Sequence, residues 1–156
     1  MRVLFVILLV CSMFISSCSS NAEPAVLDSE FSRVEEVKIS GKITFSGDTV
    51  LSITVELDED SNQHLGIDNQ YFVLEKKVWT IWREEFDSSK THYKNMSSGS
   101  FKAPVYLEPG SSGTITVDLQ KYCLSSGVYR IKVFPYTVDS QGREKERYIL
   151  AMEFRI

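Results

Sequence analysis

Cysteine is scarce in this chain, and its scarcity excludes a fold that depends on disulfide bonds. Only Cys11, Cys18 and Cys123 occur in 156 residues. Small exported domains that rely on disulfides carry several cysteine pairs. Cys123 lies between apolar neighbours and has no base close in sequence, so the sequence predicts a small buried side chain there rather than a catalytic thiol.

Residues that would support catalysis or metal binding are equally sparse. His64 and His92 are the only histidines, and neither has a second histidine or a cysteine at the spacing of a zinc site. No Gly-x-Ser-x-Gly motif occurs. The acidic stretch 58–62 places oxygen atoms at alternate positions, but Gln63 stands where a calcium loop needs glycine. We therefore expect no enzyme activity, no metal and no cofactor.

The chain also lacks an excess of positive charge. Its formal net charge is -4 and it has no basic stripe, so nucleic acid is not an expected partner. With 43% hydrophobic and 12% aromatic residues, the composition is that of a folded protein. We expect one domain, and a monomer.

Long apolar runs are missing except near the N-terminus. Arg2 precedes an unbroken apolar run from Val3 to Val10, which continues less strictly to Ile15. This stretch of about 13 residues is shorter than the roughly 20 that cross a bilayer as a helix. The sequence therefore predicts a signal peptide over residues 1–17 rather than a membrane-spanning helix.

The predicted signal peptide ends in a short motif in which Ile15 is a branched apolar residue, Ser16 and Ser17 are small, and Cys18 follows them directly. This motif resembles the lipobox of bacterial lipoproteins. The resemblance implies that a lipoprotein signal peptidase recognises Ile15, Ser16 and Ser17. It also implies that the thiol of Cys18 carries a diacylglyceryl group and that Cys18 becomes the first residue, with acyl chains such as palmitate holding it in the membrane.

The residues after Cys18 indicate where the protein is held. Ser19 stands where an aspartate would favour inner-membrane retention, so the resemblance implies the outer membrane in a Gram-negative cell. In another cell it implies the outer face of the cell membrane. Residues 18–33 are polar and rich in small side chains, which predicts a flexible tether. Ordinary secretory cleavage after Ala22 is the alternative.

Alternation of apolar and polar residues dominates from residue 34 to residue 156. The run from Leu51 to Leu57 is the clearest half-buried strand. Seven or eight such runs, separated by turn signals, predict an antiparallel β-sandwich. Val78 to Arg83 is predicted as one strand after a turn at 76–77, with Trp79 and Trp82 on opposite faces and one of them in the core.

Five segments between Gly66 and the C-terminus have the order and spacing of a known family: 71–76 leading to Trp79, 107–110, 118–119, 127–131 and 150–156. They resemble the bacterial Ig-like domains of secreted proteins and lipoproteins. The resemblance implies an Ig-like sandwich with Greek-key connections and brings no catalytic residues. In 124–129, Leu124, Gly127 and Tyr129 are placed as in a tyrosine corner.

Aromatic residues define the candidate binding surface. Trp82, His92, Tyr93 and Phe101 are predicted to contribute to it, with Tyr106 nearby. The function expected is a non-catalytic, protein-binding or accessory module of the cell envelope. One alternative is a proteinase inhibitor that uses the polar connection 87–100 as its loop. The other is an envelope hydrolase with a dispersed site, which would place a histidine beside a carboxylate in a pocket.

Overall fold

A computed structural model describes residues 24–27, 31–88 and 103–156. This part of the chain is all-β, as the alternating pattern predicts. A 3₁₀ turn, Leu119–Tyr122, follows the ninth strand. The described strands are β1 Ala25–Val26, β2 Phe31–Val34, β3 Ile39–Ser46, β4 Val50–Leu57, β5 His64–Ile67, β6 Phe72–Val78, β7 Ile81–Asp87, β8 Val105–Leu107, β9 Ser112–Asp118, β10 Val128–Val133, β11 Tyr136–Val138, β12 Glu144–Arg147 and β13 Leu150–Arg155.

The strands form three antiparallel sheets. One sheet has the order β2-β3-β4-β9, the second β1-β13-β10-β6-β7, and the third β12-β11-β5-β8. The second and third sheets are successive halves of the same long strands, because β5 leads into β6, β10 into β11 and β12 into β13. Pro135 separates β10 from β11 and has no amide hydrogen for the ladder.

The long strands bend where they pass from one of these two sheets to the other. These bends explain why the described residues contain more strands than the seven or eight predicted. Bending divides three long strands, and the alternating pattern of the sequence does not register a bend. The short β1 and β2 add further strands in a range predicted to be a flexible tether. β1 pairs with β13, and β2 pairs with β3, so strand pairing begins before residue 34.

A single hydrophobic core lies between the β2-β3-β4-β9 sheet and the other two. In β4 the residues predicted to face inward are 2% exposed or less, while their neighbours are half-buried. Gly41 in β3 faces β13, where an added Cβ would lie 2.9 Å from Met152 Sδ and 3.0 Å from Leu150 Cδ1. Glycine thus lets the two layers approach closely, and the arrangement is sandwich-like.

The tyrosine corner predicted at 124–129 is confirmed. Tyr129, the second residue of β10, is buried, and its hydroxyl donates to the Ser125 carbonyl oxygen at 2.5 Å. The ring stacks on Phe154 of β13 with the centroids 5.8 Å apart. This hydrogen bond fixes the loop before β10 to the strand that follows it.

The prediction for the two tryptophans is wrong. β6 continues through Lys76 and Lys77 to Val78, and the turn lies at Trp79 and Thr80. The strand accommodates both lysines because their long side chains lie over aromatic rings. Lys76 Nζ is 5.3 Å from the Tyr129 ring centroid, and Lys77 Nζ is 5.4 Å from the Trp82 ring centroid. Trp79 is exposed in the turn and Trp82 is half-buried on the sheet, so neither is a core residue.

The prediction that Cys123 is buried is also wrong. Cys123 is exposed and ends the 3₁₀ turn with φ 46°. Within that turn the buried side chain is Leu119, next to β9. The neighbouring Tyr122 and Leu124 are half-buried and pack against the core, while Cys123 between them is exposed.

Candidate binding surfaces

Most of the predicted site residues lie outside the described residues, as do residues 89–100 of the predicted inhibitory loop. Trp82 is the predicted surface residue that the structure describes. Of the two histidines, His64 is described and is exposed at the start of β5. The predicted site residues that lie outside the described residues are Ile15, Ser16, Ser17, Cys18, His92, Tyr93 and Phe101.

Trp82 lies in β7 at the outer edge of its sheet, where two cations face its ring. The guanidinium carbon of Arg130 is 4.3 Å from the ring centroid, and Lys77 Nζ is 5.4 Å away. Such contacts stabilise an exposed aromatic ring by about 0.5–1 kcal/mol each. The ring face that was expected to receive a partner is therefore occupied by the protein's own side chains.

Glu75 in β6 links Arg130 to a further cation, Lys132, in a charged network. It pairs with Arg130, whose Nε is 2.6 Å from Oε2, and with Lys132, whose Nζ is 2.6 Å from Oε1. Burial alone would raise the pKa of Glu75, but the hydrogen bonds from Lys132 and Arg130 outweigh it and hold the pKa below its usual value. The network ties β6 to β10 on the outer face of the sheet.

A second outer surface, on the β12-β11-β5-β8 sheet, carries a row of aromatic side chains. The paired positions across these four strands are Arg147, Tyr136, Gly66 and Tyr106. The Tyr136 ring lies over Gly66, where an added Cβ would be only 2.3 Å from ring atoms. Tyr106 is 55% exposed at the edge. Glycine is required at position 66 because the ring occupies the space of a side chain.

Two further rings extend this row at the bend of the strands. Tyr71 stacks on Phe134 with the centroids 4.6 Å apart. Arg147 lies 5.7 Å from the Tyr71 centroid and 5.2 Å from that of Tyr136, and two hydrogen bonds to Glu144 hold its guanidinium. We call Tyr71, Tyr106, Phe134, Tyr136 and Arg147 the tyrosine face.

Sequence reasoning identified only Tyr106 of this face. The other members come together through strand pairing and through the bend at Pro135, and neither is visible in the local sequence. The one sequence signal for this face is a glycine at position 66 that can lie opposite Tyr136. Recognising this pair requires knowledge of the register between β5 and β11. Trp82 and Tyr106 lie in different sheets, so the structure does not bring these two together.

The β6–β7 hairpin ends in an exposed apolar tip. Trp79 is 94% exposed with φ 60°, and Ile81 directly after the turn is 62% exposed. A bulky side chain at positive φ is an uncommon backbone state. We refer to residues 79–81 as the hairpin tip.

The acidic stretch 58–62 is tied to one basic residue of β2 and one of the β2–β3 turn. Arg33 Nη2 lies 2.8 Å from Asp58 Oδ2, and Lys38 pairs with Asp60. The hydrogen bond from Lys38 lowers the pKa of Asp60. In the described part of the chain, no three histidine, cysteine or acidic residues are grouped as a metal site would require.

Ionisable side chains line two of the surface depressions in the described part of the chain. One is lined by Phe86, Tyr122 and their neighbours, and the other includes Glu146 and Tyr148. The Tyr148 hydroxyl donates to Glu146 Oε2 at 2.8 Å, and burial followed by this bond raises the pKa of Tyr148 to about 12. Tyr148 is therefore a neutral phenol near pH 7. His64 lines neither depression.

Comparisons with known proteins assign no family. No family model matches the chain, and no curated protein matches it significantly. A crystal structure of a protein from Archaeoglobus fulgidus is similar at 11% identity, covering 76% of this chain and 95% of that one with a TM-score of 0.32. This likeness is too low to establish a shared fold. Among the described residues, no helix has the length and apolar character to cross a membrane.

Proposed function

We propose that this chain is a lipid-anchored lipoprotein of the bacterial cell envelope whose Ig-like domain is a non-catalytic binding module. The observation that carries the proposal is the lipobox at Ile15, Ser16, Ser17 and Cys18. An acylated N-terminus needs no membrane-spanning helix, since two or more acyl chains anchor a protein stably. Ser19 after the anchor favours the outer membrane in a Gram-negative cell.

The strand order supports the Ig-like assignment. In Ig domains, strands A, B and E share one sheet, and C, F and G share the other, with C′ beside C in the variable type. Taking β3, β4 and β9 as A, B and E leaves β5–β6, β10–β11 and β12–β13 as C, F and G, with β7 as C′. The Tyr129 hydrogen bond to Ser125 occupies the place of a tyrosine corner before strand F. The chain differs from antibody domains in having no disulfide between B and F.

The tyrosine face is the surface that best fits a protein partner. Tyrosine and arginine are enriched at the centres of protein interfaces because they offer large rigid areas with polar ends. Tyr106 is exposed, and Arg147 is held in place by Glu144. Because its guanidinium is already held, Arg147 loses little entropy when a partner binds, and the exposed Tyr106 is accessible to that partner. Trp82 is a poorer candidate, since Arg130 and Lys77 cover its ring.

Metabolic labelling with an alkyne analogue of palmitate tests the anchor. Wild type is expected to carry the label and to fractionate with membranes, whereas Cys18→Ser is expected to lose the label and to be retained at the higher mass of the uncleaved precursor. Cys11→Ser is the matched control, because Cys11 lies in the segment predicted to be removed, and the mature protein should be labelled as in wild type. Equal labelling of Cys18→Ser and wild type would contradict the proposal.

A further inference from the structure

The hairpin tip lies at the same end of its sheet as the start of the chain. Strand pairing places Val26, Phe154, Tyr129, Lys76 and Arg83 in one row across β1, β13, β10, β6 and β7. From Val26, the chain leads back through Ala25, which pairs with the residue after Phe154. From Lys76, β6 continues in that same direction to the tip.

The segment between Cys18 and β1 is short enough to hold the hairpin-tip end of the sheet near a membrane. Five residues separate Cys18 from Pro24, the first residue before β1. Fully extended, these six steps reach about 20 Å, at about 3.3–3.6 Å per residue. Three strand spacings of about 4.8 Å place β6 about 14 Å to the side of β1. An acylated Cys18 therefore keeps the hairpin within reach of the lipid surface.

The tip has the composition of a membrane-interface contact. Trp79 and Ile81 are the apolar side chains that project from it, and Lys77 and Arg83 lie exposed on the adjoining strand ends. Tryptophan favours the headgroup level of a bilayer, and basic residues are attracted to anionic lipids. Asp48 lies in the β3–β4 turn of the opposite layer, near the same end through the contact between Phe45 and Phe154. Its charge favours contact through the hairpin rather than through the whole end.

We infer that the hairpin tip inserts Trp79 and Ile81 into the headgroup region of the membrane in which Cys18 is anchored. The inference rests on the proposed lipid anchor and adds an orientation to it. With contacts at both the acylated Cys18 and the hairpin tip, the domain stands with this end of the β1-β13-β10-β6-β7 sheet against the membrane. The β12-β11-β5-β8 sheet, which carries the tyrosine face, then points away from it, where a partner can reach it.

Fluorescence of single-tryptophan variants tests the insertion, because the chain contains only Trp79 and Trp82. The full lipidated Trp82→Phe protein, which keeps Trp79, is reconstituted into phosphatidylethanolamine–phosphatidylglycerol vesicles with and without lipids brominated in the upper acyl chain. Bromine is expected to quench Trp79 emission at least twofold. The matched Trp79→Phe protein, which keeps Trp82, is expected to lose less than a fifth of its emission.

The outcomes separate the insertion from the anchor. If the vesicles carry acylated protein on flotation and Trp79 is quenched no more than Trp82, the insertion is contradicted while the anchor stands. If the protein does not float with the vesicles, the anchor fails and the insertion falls with it. Far-ultraviolet circular dichroism identical to wild type confirms that both variants keep the β fold.

Discussion

A few single residues make contacts that stabilise this domain, and the alternation of apolar and polar residues does not distinguish them from their neighbours. Tyr129 is one of many inward-facing residues, yet its hydroxyl also closes the loop before β10. Gly66 is one residue of a short strand, and only the Tyr136 ring above it explains why it has no side chain. At the residue scale, the sequence predicts what is buried better than it predicts what each buried group contacts.

Replacing Tyr129 with phenylalanine tests the tyrosine corner. The substitution keeps the buried ring and removes only the hydrogen bond to Ser125, so we expect the free energy of unfolding to fall by about 1 kcal/mol. Urea denaturation followed by circular dichroism measures the change. Tyr106→Phe is the control, because Tyr106 is exposed and should leave the midpoint unchanged. A Tyr129→Phe midpoint equal to wild type would show that the hydrogen bond contributes no stability.

At the scale of elements, strands β6, β7 and β10 are joined on their outer face by charge as well as by their ladder. Glu75 accepts hydrogen bonds from Arg130 and Lys132, and Arg130 in turn lies over Trp82. Sequence patterning predicted these strands but misplaced the β6–β7 turn, because it took Lys76-Lys77 as a break. Lysine side chains long enough to lie over Tyr129 and Trp82 are compatible with a strand, and their contacts arise only in the folded sheet.

Replacing Glu75 with glutamine tests the network. The pKa of Glu75 is lowered in the folded protein, so its contribution to stability is present above its unfolded pKa and is lost as the pH falls through its folded pKa. We therefore expect Glu75→Gln to lower the free energy of unfolding by about 1–3 kcal/mol at pH 7. The difference from wild type should shrink below the ordinary glutamate pKa of 4.5.

Urea titrations at pH 7 and pH 3 measure both effects. Glu108→Gln provides a control on an exposed residue after β8, and we expect it to change stability by less than 0.5 kcal/mol. A Glu75→Gln deficit that is equally large at pH 3 and pH 7 would show that packing, rather than the charge of the carboxylate, is responsible.

At the scale of the whole molecule, the all-β architecture was predictable and the division into sheets was not. Period-two alternation reports which residues face the core, and it does so correctly in β4. It carries no information on the bend at Pro135 or on strand register, and these two features assemble the tyrosine face. The proposed anchor is the reverse case, since the local sequence alone predicts it at Cys18, which lies outside the described residues.

The intact mass of the protein extracted from membranes tests the central claim most directly. We expect a chain that begins at Cys18 and carries the added mass of a diacylglyceryl group, with or without a further amide-linked acyl chain. Fragmentation should place the whole addition on Cys18. An unmodified chain beginning at Glu23, the product of ordinary secretory cleavage after Ala22, would contradict the account.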